Sequence, residues 1–467
     1  MNNMNIDLAK IKKAYIIGIK GSGVVAIVEI FKSLGVEITG SDTNEKFFTD
    51  EVLQKLGVKY FEDFSQDNIP VDTDLIIYST AYNAENNIEF KSAKEKGILM
   101  LSYPEVLAML FNQKYGIAVA GTHGKTTTSA ILASVLRACE IDPMAVIGSR
   151  VNKWKSNALI GKGSHFVIEA DEFQNKLKLY QPKAAIITSL DFDHPDSFKD
   201  FSEYKKAFSD FVEKIFKAGF AVICGDDANV LDIAKNATCE ILKYGFLEDN
   251  DLRIQNYELQ VADNGEKFQK FNLIYKTKDL GRFQIQLVGK HNVLNVAAVV
   301  AVCLKLDLDL EKVRIALKDF QGISRRFEFI GKRNGAILID DYGHHPEEIK
   351  VTLKGAREIY PEKKIIAVFH PHSYSRTEAL LEDFAQSFDY VDQVLVLDIY
   401  GSAREYSGSV NSNDLVKLIN KYSHEKAEYI PKISEVVNFL QDKIGENDVV
   451  ICIGAGNGRE VAEELSE

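Results

Sequence analysis

Cysteine, net positive charge and long apolar runs are all scarce in this chain of 467 residues. Its five cysteines, Cys139, Cys224, Cys239, Cys303 and Cys452, are scattered, mostly within apolar stretches, and make no metal-type spacing. That argues against a disulfide framework and predicts buried free thiols in a reducing cytoplasm. The formal net charge of -12 disfavours nucleic acid as the main partner, because a polyanion needs a local basic patch and none is apparent. No apolar run approaches the roughly 20 residues of a membrane span. The Lys-rich N-terminus is short, runs straight into a predicted strand and does not read as a signal peptide. Short-period repeats and low-complexity tracts are also missing. The expectation is a cytoplasmic globular protein with neither nucleic-acid nor membrane partners. At this length two to four domains of roughly 100–200 residues each are expected.

What the chain does contain is alternation of apolar strands with helical patterns. Ala14–Ile19, Val36–Thr39 and Leu75–Tyr78 read as strands, with a helix over Val24–Leu34. Phe166–Ile168, Ala184–Thr188 and Phe220–Cys224 form a second strand set, followed by an alternating stretch, Leu252–Arg282, that predicts antiparallel hairpins. Ala336–Ile339, Ile365–Phe369, Gln393–Asp398 and Val449–Ile453 form a third. This is α/β logic, with parallel sheets and helices on both faces. Three domains in series are expected: a Rossmann-like domain over 1–110, a central P-loop-type domain over 111–322, and a Rossmann-like C-terminal domain over 323–467. Gly322–Arg326 reads as the hinge before the last.

The most informative segment is Gly121-Thr122-His123-Gly124-Lys125-Thr126-Thr127, between the apolar run Gly116–Ala120 and the helical pattern Ser129–Ala138. Strand, glycine turn, Lys-Thr and helix make a triphosphate cradle. Glycines admit backbone N–H groups to phosphate oxygens, the helix N-terminus adds a favourable dipole, Lys125 reaches the terminal phosphates and Thr126 can ligate Mg²⁺. The common P-loop wants a further glycine where Val119 stands, so this is a variant.

Other polar clusters sit at strand ends, where open parallel sheets bind ligands. Gly18, Lys20, Gly21, Ser22 and Gly23 form a turn compatible with a diphosphate at a helix N-terminus, or with a structural turn holding no ligand. Lys20 would add charge there, Asp42 ends the next strand where ribose hydroxyls often bind, and Ser79 and Thr80 close a third. Glu169-Ala170-Asp171-Glu172 concentrates carboxylates and suggests a cation. Asp191-Phe192-Asp193-His194 follows the next strand; if the two strands are neighbours, Glu169 and His194 meet beside Thr126 and can hold Mg²⁺. His291, Asn292 and Asn295 share a helix start, reading either as caps or as purine recognition. Arg326 at the hinge could swing onto phosphate. Two loops, Asp340–Pro346 with Tyr342 and His344, and His370–Thr377 with Arg376, suit a small carboxylate-bearing substrate at adjacent strand ends. A dehydrogenase could use the first glycine turn, but would leave Lys125 and Thr126 without a task.

Taken together, Gly-Thr-His-Gly-Lys-Thr-Thr-Thr, Glu-Ala-Asp-Glu, Asp-His, His-Asn-x-x-Asn and Arg-Arg-Phe-Glu resemble, in order and along essentially the whole chain, the Mur ligase family of ATP-dependent amide-forming enzymes of peptidoglycan synthesis. Asp340–Pro346 and Ile399–Glu405 look most like the members that join L-alanine to the carboxylate of UDP-N-acetylmuramate. The resemblance implies ATP and Mg²⁺ as cofactors, an acyl-phosphate intermediate, and a monomer or homodimer. It implies catalytic roles for Lys125, Glu169, His194 and Arg326, and metal ligation by Thr126, Glu169 and His194. ATP would lie on Gly121–Thr127, His291, Asn292, Asn295 and Arg326. The sugar nucleotide would lie on Gly18–Gly23, Asp42, Ser79 and Thr80, and the amino acid near Tyr342, His344 and Arg376. Ser373 stands where the family's amino-acid loop carries an arginine, Phe173-Gln174 replaces Ser-Asp, Lys20 replaces a glycine and Asn457 an acid. A family ligase using another amine, such as the tripeptide-recycling ligase, or a non-catalytic paralogue, are the alternatives.

Overall fold

The predicted strand sets become three separate sheets. The computed structural model describes residues 6–193, 197–261, 267–401, 408–423 and 425–466. The first sheet contains β1 (Lys13–Ile17), β2 (Glu37–Ser41), β3 (Lys59–Phe61), β4 (Leu75–Tyr78) and β5 (Met100–Ser102), all parallel, in the order β3-β2-β1-β4-β5. The connections reverse direction across β1, so the glycine turn after it lies at a topological switch point. Helix Ser22–Ser33 follows, burying Val24, Val25, Ile27, Val28 and Phe31.

The second sheet contains β6 (Tyr115–Ala120), β7 (Met144–Val151), β8 (Ser156–Leu159), β9 (His165–Glu169), β10 (Ala184–Ile187), β11 (Phe220–Cys224), β12 (Glu240–Gly245), β13 (Leu252–Val261), β14 (Lys267–Tyr275) and β15 (Lys278–Ile285). Its order is β15-β14-β13-β12-β11-β10-β6-β9-β7-β8. The alternating stretch is antiparallel as its pattern predicts, and it extends this same sheet. The condition set for the two acidic motifs, that their strands be neighbours, is not met. β9 and β10, which carry the two acidic motifs, are not neighbours but flank β6. β6 takes the central place because Ile117, Ala118, Val119 and Ala120 are apolar on both faces and fully buried. Both strand ends still reach the loop that follows β6. Helices Lys125–Ala138 and Lys290–Lys305 pack together on one face. Ala297, Ala298 and Ala301 in the second helix are buried and small enough to permit close approach.

The third sheet contains β16 (Glu328–Arg333), β17 (Ala336–Asp341), β18 (Lys364–Phe369), β19 (Gln393–Val396), β20 (Ala427–Tyr429) and β21 (Asp448–Ile453), in the order β16-β17-β21-β18-β19-β20. The two histidine-rich loops therefore do not leave adjacent strands. β21 returns between β17 and β18, because Val449–Ile453 is apolar on both faces and belongs at the centre. One hydrophobic core runs unbroken from the helices of the first sheet to one face of the second. The third sheet has its own core on each face. All five cysteines are free thiols. Among the described residues no helix is long and apolar enough to cross a membrane.

Candidate active site

The loop after β6 turns sharply into helix Lys125–Ala138. Gly124 has φ +80°, and a Cβ there would lie 2.6 Å from Asn295 Oδ1, so the position demands glycine twice over. Lys125 Nζ donates to the carbonyls of Gly121 at 2.5 Å and Thr122 at 3.0 Å, and pairs with Glu172 at 3.0 Å. Burial opposes the ammonium charge, but Glu172, Glu169 and Asp171 outweigh it and hold its pKa up. Tyr204 steadies the pair by donating to Glu172 at 3.1 Å.

Thr126 Oγ1 donates to Glu169 Oε1 at 2.9 Å, and the Gly148 N–H donates to Glu169 Oε2 at 2.6 Å. Withdrawal from water raises the Glu169 pKa; Lys125 and these two donors pull the other way. The hydroxyl and carboxylate are hard oxygen donors facing the phosphate loop, which fits Mg²⁺, an ion that keeps phosphate and water ligands. No group of three or more His, Cys, Asp and Glu forms a closed metal cage among the described residues. His194, the third expected ligand, lies outside the described residues, as do residues 402–405 of the Ile399–Glu405 motif.

A cavity of about 410 Å³ opens from this loop. His123, Thr126, Thr127, His291, Asn292 and Asn295 line it from the second sheet. Arg326, Asp341 and Glu348 line it from the side of the third. Burial drives the His291 pKa down to about 4, so its imidazole is neutral there. Asn295 Nδ2 donates to Asn292 Oδ1 at 3.2 Å, joining the two amides on one face. Neither is the helix cap, which is Gly289. Glu348 is in the first turn of helix Pro346–Ile359, where the dipole favours an acid. It meets Arg326 at 3.7 Å and His123 at 3.6 Å; His123 meets Asp191 at 3.4 Å on its other edge. Burial opposes the His123 charge, but these two carboxylates raise its pKa to about 9. Arg325 has a different task from Arg326. It pairs with Asp340 at 3.1 Å and donates to the carbonyls of Gly454 at 2.7 Å and Gly456 at 2.9 Å, bracing the loop after β21.

The proposed amino-acid residues do meet. The Tyr342 and His344 rings lie 5.1 Å apart, and His344 Nδ1 is 3.1 Å from the Tyr342 carbonyl. Burial lowers the His344 pKa to about 3. Arg376 departs from expectation: instead of a guanidinium open to a substrate carboxylate, it pairs with Asp193 at 3.1 Å, and both are buried. The cause is tertiary. The segment after β10 approaches helix Tyr374–Ala379, and a buried guanidinium requires an anion. Ser373 has φ +62° and caps that helix, accepting the Arg376 N–H at 3.3 Å.

At the first sheet, Gly18, Gly21, Ser22 and Gly23 form the turn and helix start, and Ser79 and Thr80 follow β4 beside it. One expectation is corrected. The Lys20 side chain is fully buried; its Nζ donates to the Thr43 and Glu45 carbonyls, each at 2.8 Å, and pairs with Glu62 at 3.0 Å and Asp50 at 3.3 Å. With two carbonyls and two carboxylates around it, the ammonium supplies no charge to a diphosphate. Asp42 accepts the Lys20 N–H at 2.6 Å on one oxygen and the Thr43 N–H at 2.8 Å on the other, and so helps build the turn.

Several contributors belong to no motif. Glu348 looks like an ordinary first-turn acid, and Gly148 stands in an unremarkable apolar strand. Gln269, fully buried on β14, donates to the carbonyls of Leu287 at 2.5 Å and Gly289 at 3.1 Å and so fixes the start of the His291 helix. A polar residue at an inward position of an alternating strand is its only signal.

Comparison with known proteins agrees with this architecture. Family models match in series: the Mur ligase family, catalytic domain, over residues 13–115; the Mur ligase middle domain over 119–303; and the Mur ligase, glutamate ligase domain, over 325–456. The UDP-N-acetylmuramate–L-alanine ligase of Caldanaerobacter subterraneus subsp. tengcongensis is 37% identical over 465 residues, 99% of either chain. That of Desulfitobacterium hafniense is 39% identical over 453 residues, covering 97% of this chain and 98% of its own. Among solved structures, UDP-N-acetylmuramate-alanine ligase MurC from Thermotoga maritima superposes with TM-score 0.81 at 26% identity, covering 97% of this chain and 98% of that one. Matched by family models over all three domains and by relatives more than 30% identical along nearly its whole length, the chain belongs to the Mur ligase family.

Proposed function

We propose that this protein joins L-alanine to the carboxylate of UDP-N-acetylmuramate at the expense of ATP, acting in the cytoplasm on a peptidoglycan precursor. The carrying observation is the cavity in which His123, Gly124, Thr126 and Thr127 of the phosphate loop face Arg326 and Glu348 across the cleft, with Glu169 bonded to Thr126. A carboxylate is a poor acyl donor because its leaving group is oxide. Attack of the carboxylate oxygen on the γ-phosphorus breaks the bond to the β,γ-bridging oxygen and releases ADP, giving an acyl phosphate; the amine then adds to the acyl carbon, gives up a proton and expels inorganic phosphate, a stable leaving group, to form the amide. Positioning and charge neutralisation do most of this work. Lys125 binds the terminal phosphates after turning from Glu172 and the loop carbonyls. Thr126 and Glu169 would hold Mg²⁺, which when bound would offset phosphate charge. His291, Asn292 and Asn295 face the purine, and Arg326 approaches the phosphates from the opposite wall. The sugar nucleotide lies on the Gly18–Gly23 turn beside Ser79 and Thr80, and the amino acid near Tyr342 and His344. Cleft closure keeps water from the acyl phosphate.

The test is to supply ATP, Mg²⁺, UDP-N-acetylmuramate and a panel of single amino acids, and to follow phosphate release and product mass. Release with L-alanine alone, plus the alanyl mass increment, is expected. Release with another amine would keep the chemistry and move the substrate. Turnover only with a preformed peptide would indicate the recycling reaction, and no turnover at all would sink the ligase reading.

A further inference from the structure

One hairpin, β7–β8, bonds to the helix of the first sheet, to Glu169 and to the segment that leads to the third sheet. Toward the first sheet, Asn157 Nδ2 donates to the Ser22 carbonyl at 2.8 Å, at the first residue of the helix behind the glycine turn. Ser156 Oγ donates to Glu29 on the same helix. The same Asn157 Nδ2 donates to the Ile147 carbonyl at 3.3 Å, and the next residue, Gly148, holds Glu169. Toward the third sheet, Ser149 Oγ donates to the Ser324 carbonyl at 3.1 Å, the Ser324 N–H to the Arg150 carbonyl at 2.9 Å, and Asn152 Nδ2 to the Gln321 carbonyl at 3.2 Å. Arg325 and Arg326 follow directly.

Asn157 is 1% exposed, and its Oδ1 has no donor. An orphaned buried acceptor costs stability, so the amide is not kept for packing alone. What the amide supplies is the pair of Nδ2 bonds, which fix the glycine-turn helix to the strand that holds Glu169. We propose that Asn157 is a positioning residue for the ligation, setting the distance between the bound sugar nucleotide and the phosphate loop. This rests on the ligase reading above. The reacting oxygen and phosphorus must come within about 3–3.5 Å, and a displacement of about 1 Å can cost on the order of a hundredfold in rate. ATP itself is held by residues Asn157 does not touch.

The experiment is Asn157→Leu in the full chain, measuring amide formation, thermal unfolding and binding of a non-hydrolysable ATP analogue. The expected result is a kcat at least about tenfold lower, with Tm lowered by only a few degrees as the Ser22 and Ile147 carbonyls lose a donor, and the KM for ATP and the analogue Kd within about twofold of wild type. Unchanged kcat overturns the proposal. So does a kcat loss matched by equal losses of analogue binding and Tm, the mark of a purely structural residue. If Asn157→Leu fails to fold, Asn157→Ala is read by the same criteria. Wild-type turnover with a full-speed variant overturns this proposal alone; a wild-type protein that forms no amide overturns the ligase reading with it.

Discussion

Gly148→Ala isolates one carboxylate from the rest of the site. Gly148 is not among the residues with left-handed backbone, so alanine adds no strain of its own. Its Cβ, however, would lie 2.5 Å from Glu169 Oε2 and 2.8 Å from both Oε1 and Cδ. Ordinary contact begins at 3.4 Å, so the carboxylate must retreat by about 0.9 Å (3.4 − 2.5). It is held by Thr126 at 2.9 Å and the Gly148 N–H at 2.6 Å, and a retreat of that size forfeits at least one of these bonds. A hydrogen bond to a charged group is worth about 1.5–3 kcal/mol. At about 1.4 kcal/mol per tenfold, kcat/KM should fall roughly 10- to 150-fold. Phosphate release measured across a Mg²⁺ titration is the assay. Part of the loss should recover at high Mg²⁺, because the proposed ligand is displaced and not removed. Unchanged kcat/KM at every Mg²⁺ concentration, in a protein shown to fold, would refute the placement of Glu169 in the machinery.

Lys125→Ala should abolish amide formation while leaving sugar-nucleotide binding nearly intact; activity that survives would show the loop assignment to be wrong. Ser373→Arg should lower the apparent KM for L-alanine, at a cost of about 1 kcal/mol from the lost helix cap. An unchanged KM would show that residue 373 does not face the amine. His123 gains Asp191 and Glu348 on folding, with Arg326 and His345 also nearby, and its pKa rises from the ordinary 6.5 to about 9. Its stabilisation is therefore full below pH 6.5 and is lost as pH passes about 9. Tm measured against His123→Gln should show the wild-type advantage shrinking over that window, and an advantage that grows with pH would contradict the assignment.

Elements and motifs built from neighbouring residues are legible in the sequence. β4 and β11 coincide to the residue with the apolar runs Leu75–Tyr78 and Phe220–Cys224, the phosphate loop stands out as one strand–turn–helix run, and the hairpins of the central sheet follow from alternation. Order across a sheet is not legible. Apolar runs say that a strand is buried, but β6 and β21 claim the centre only in competition with all the others.

The sequence alone determined the chemistry available: a triphosphate turn, a cluster of carboxylates at a strand end, amides and an imidazole at one helix start, and arginines at a hinge. It could do so because the residues of each module are neighbours along the chain, although the bonds that hold them, such as Thr126 to Glu169 and Arg325 to the Gly454 carbonyl, reach across it. Tertiary structure decided where the charges go. Lys20 has a stem long enough to reach the glycine turn or the shell around Glu62, and only packing chose the shell. Arg376 was open to a substrate carboxylate by its loop, but the segment after β10 brought Asp193 to it. Glu348 was one acid among many until folding set it between His123 and Arg326. A buried charge takes whichever counter-charge the fold places within about 4 Å, and local sequence does not specify that neighbour.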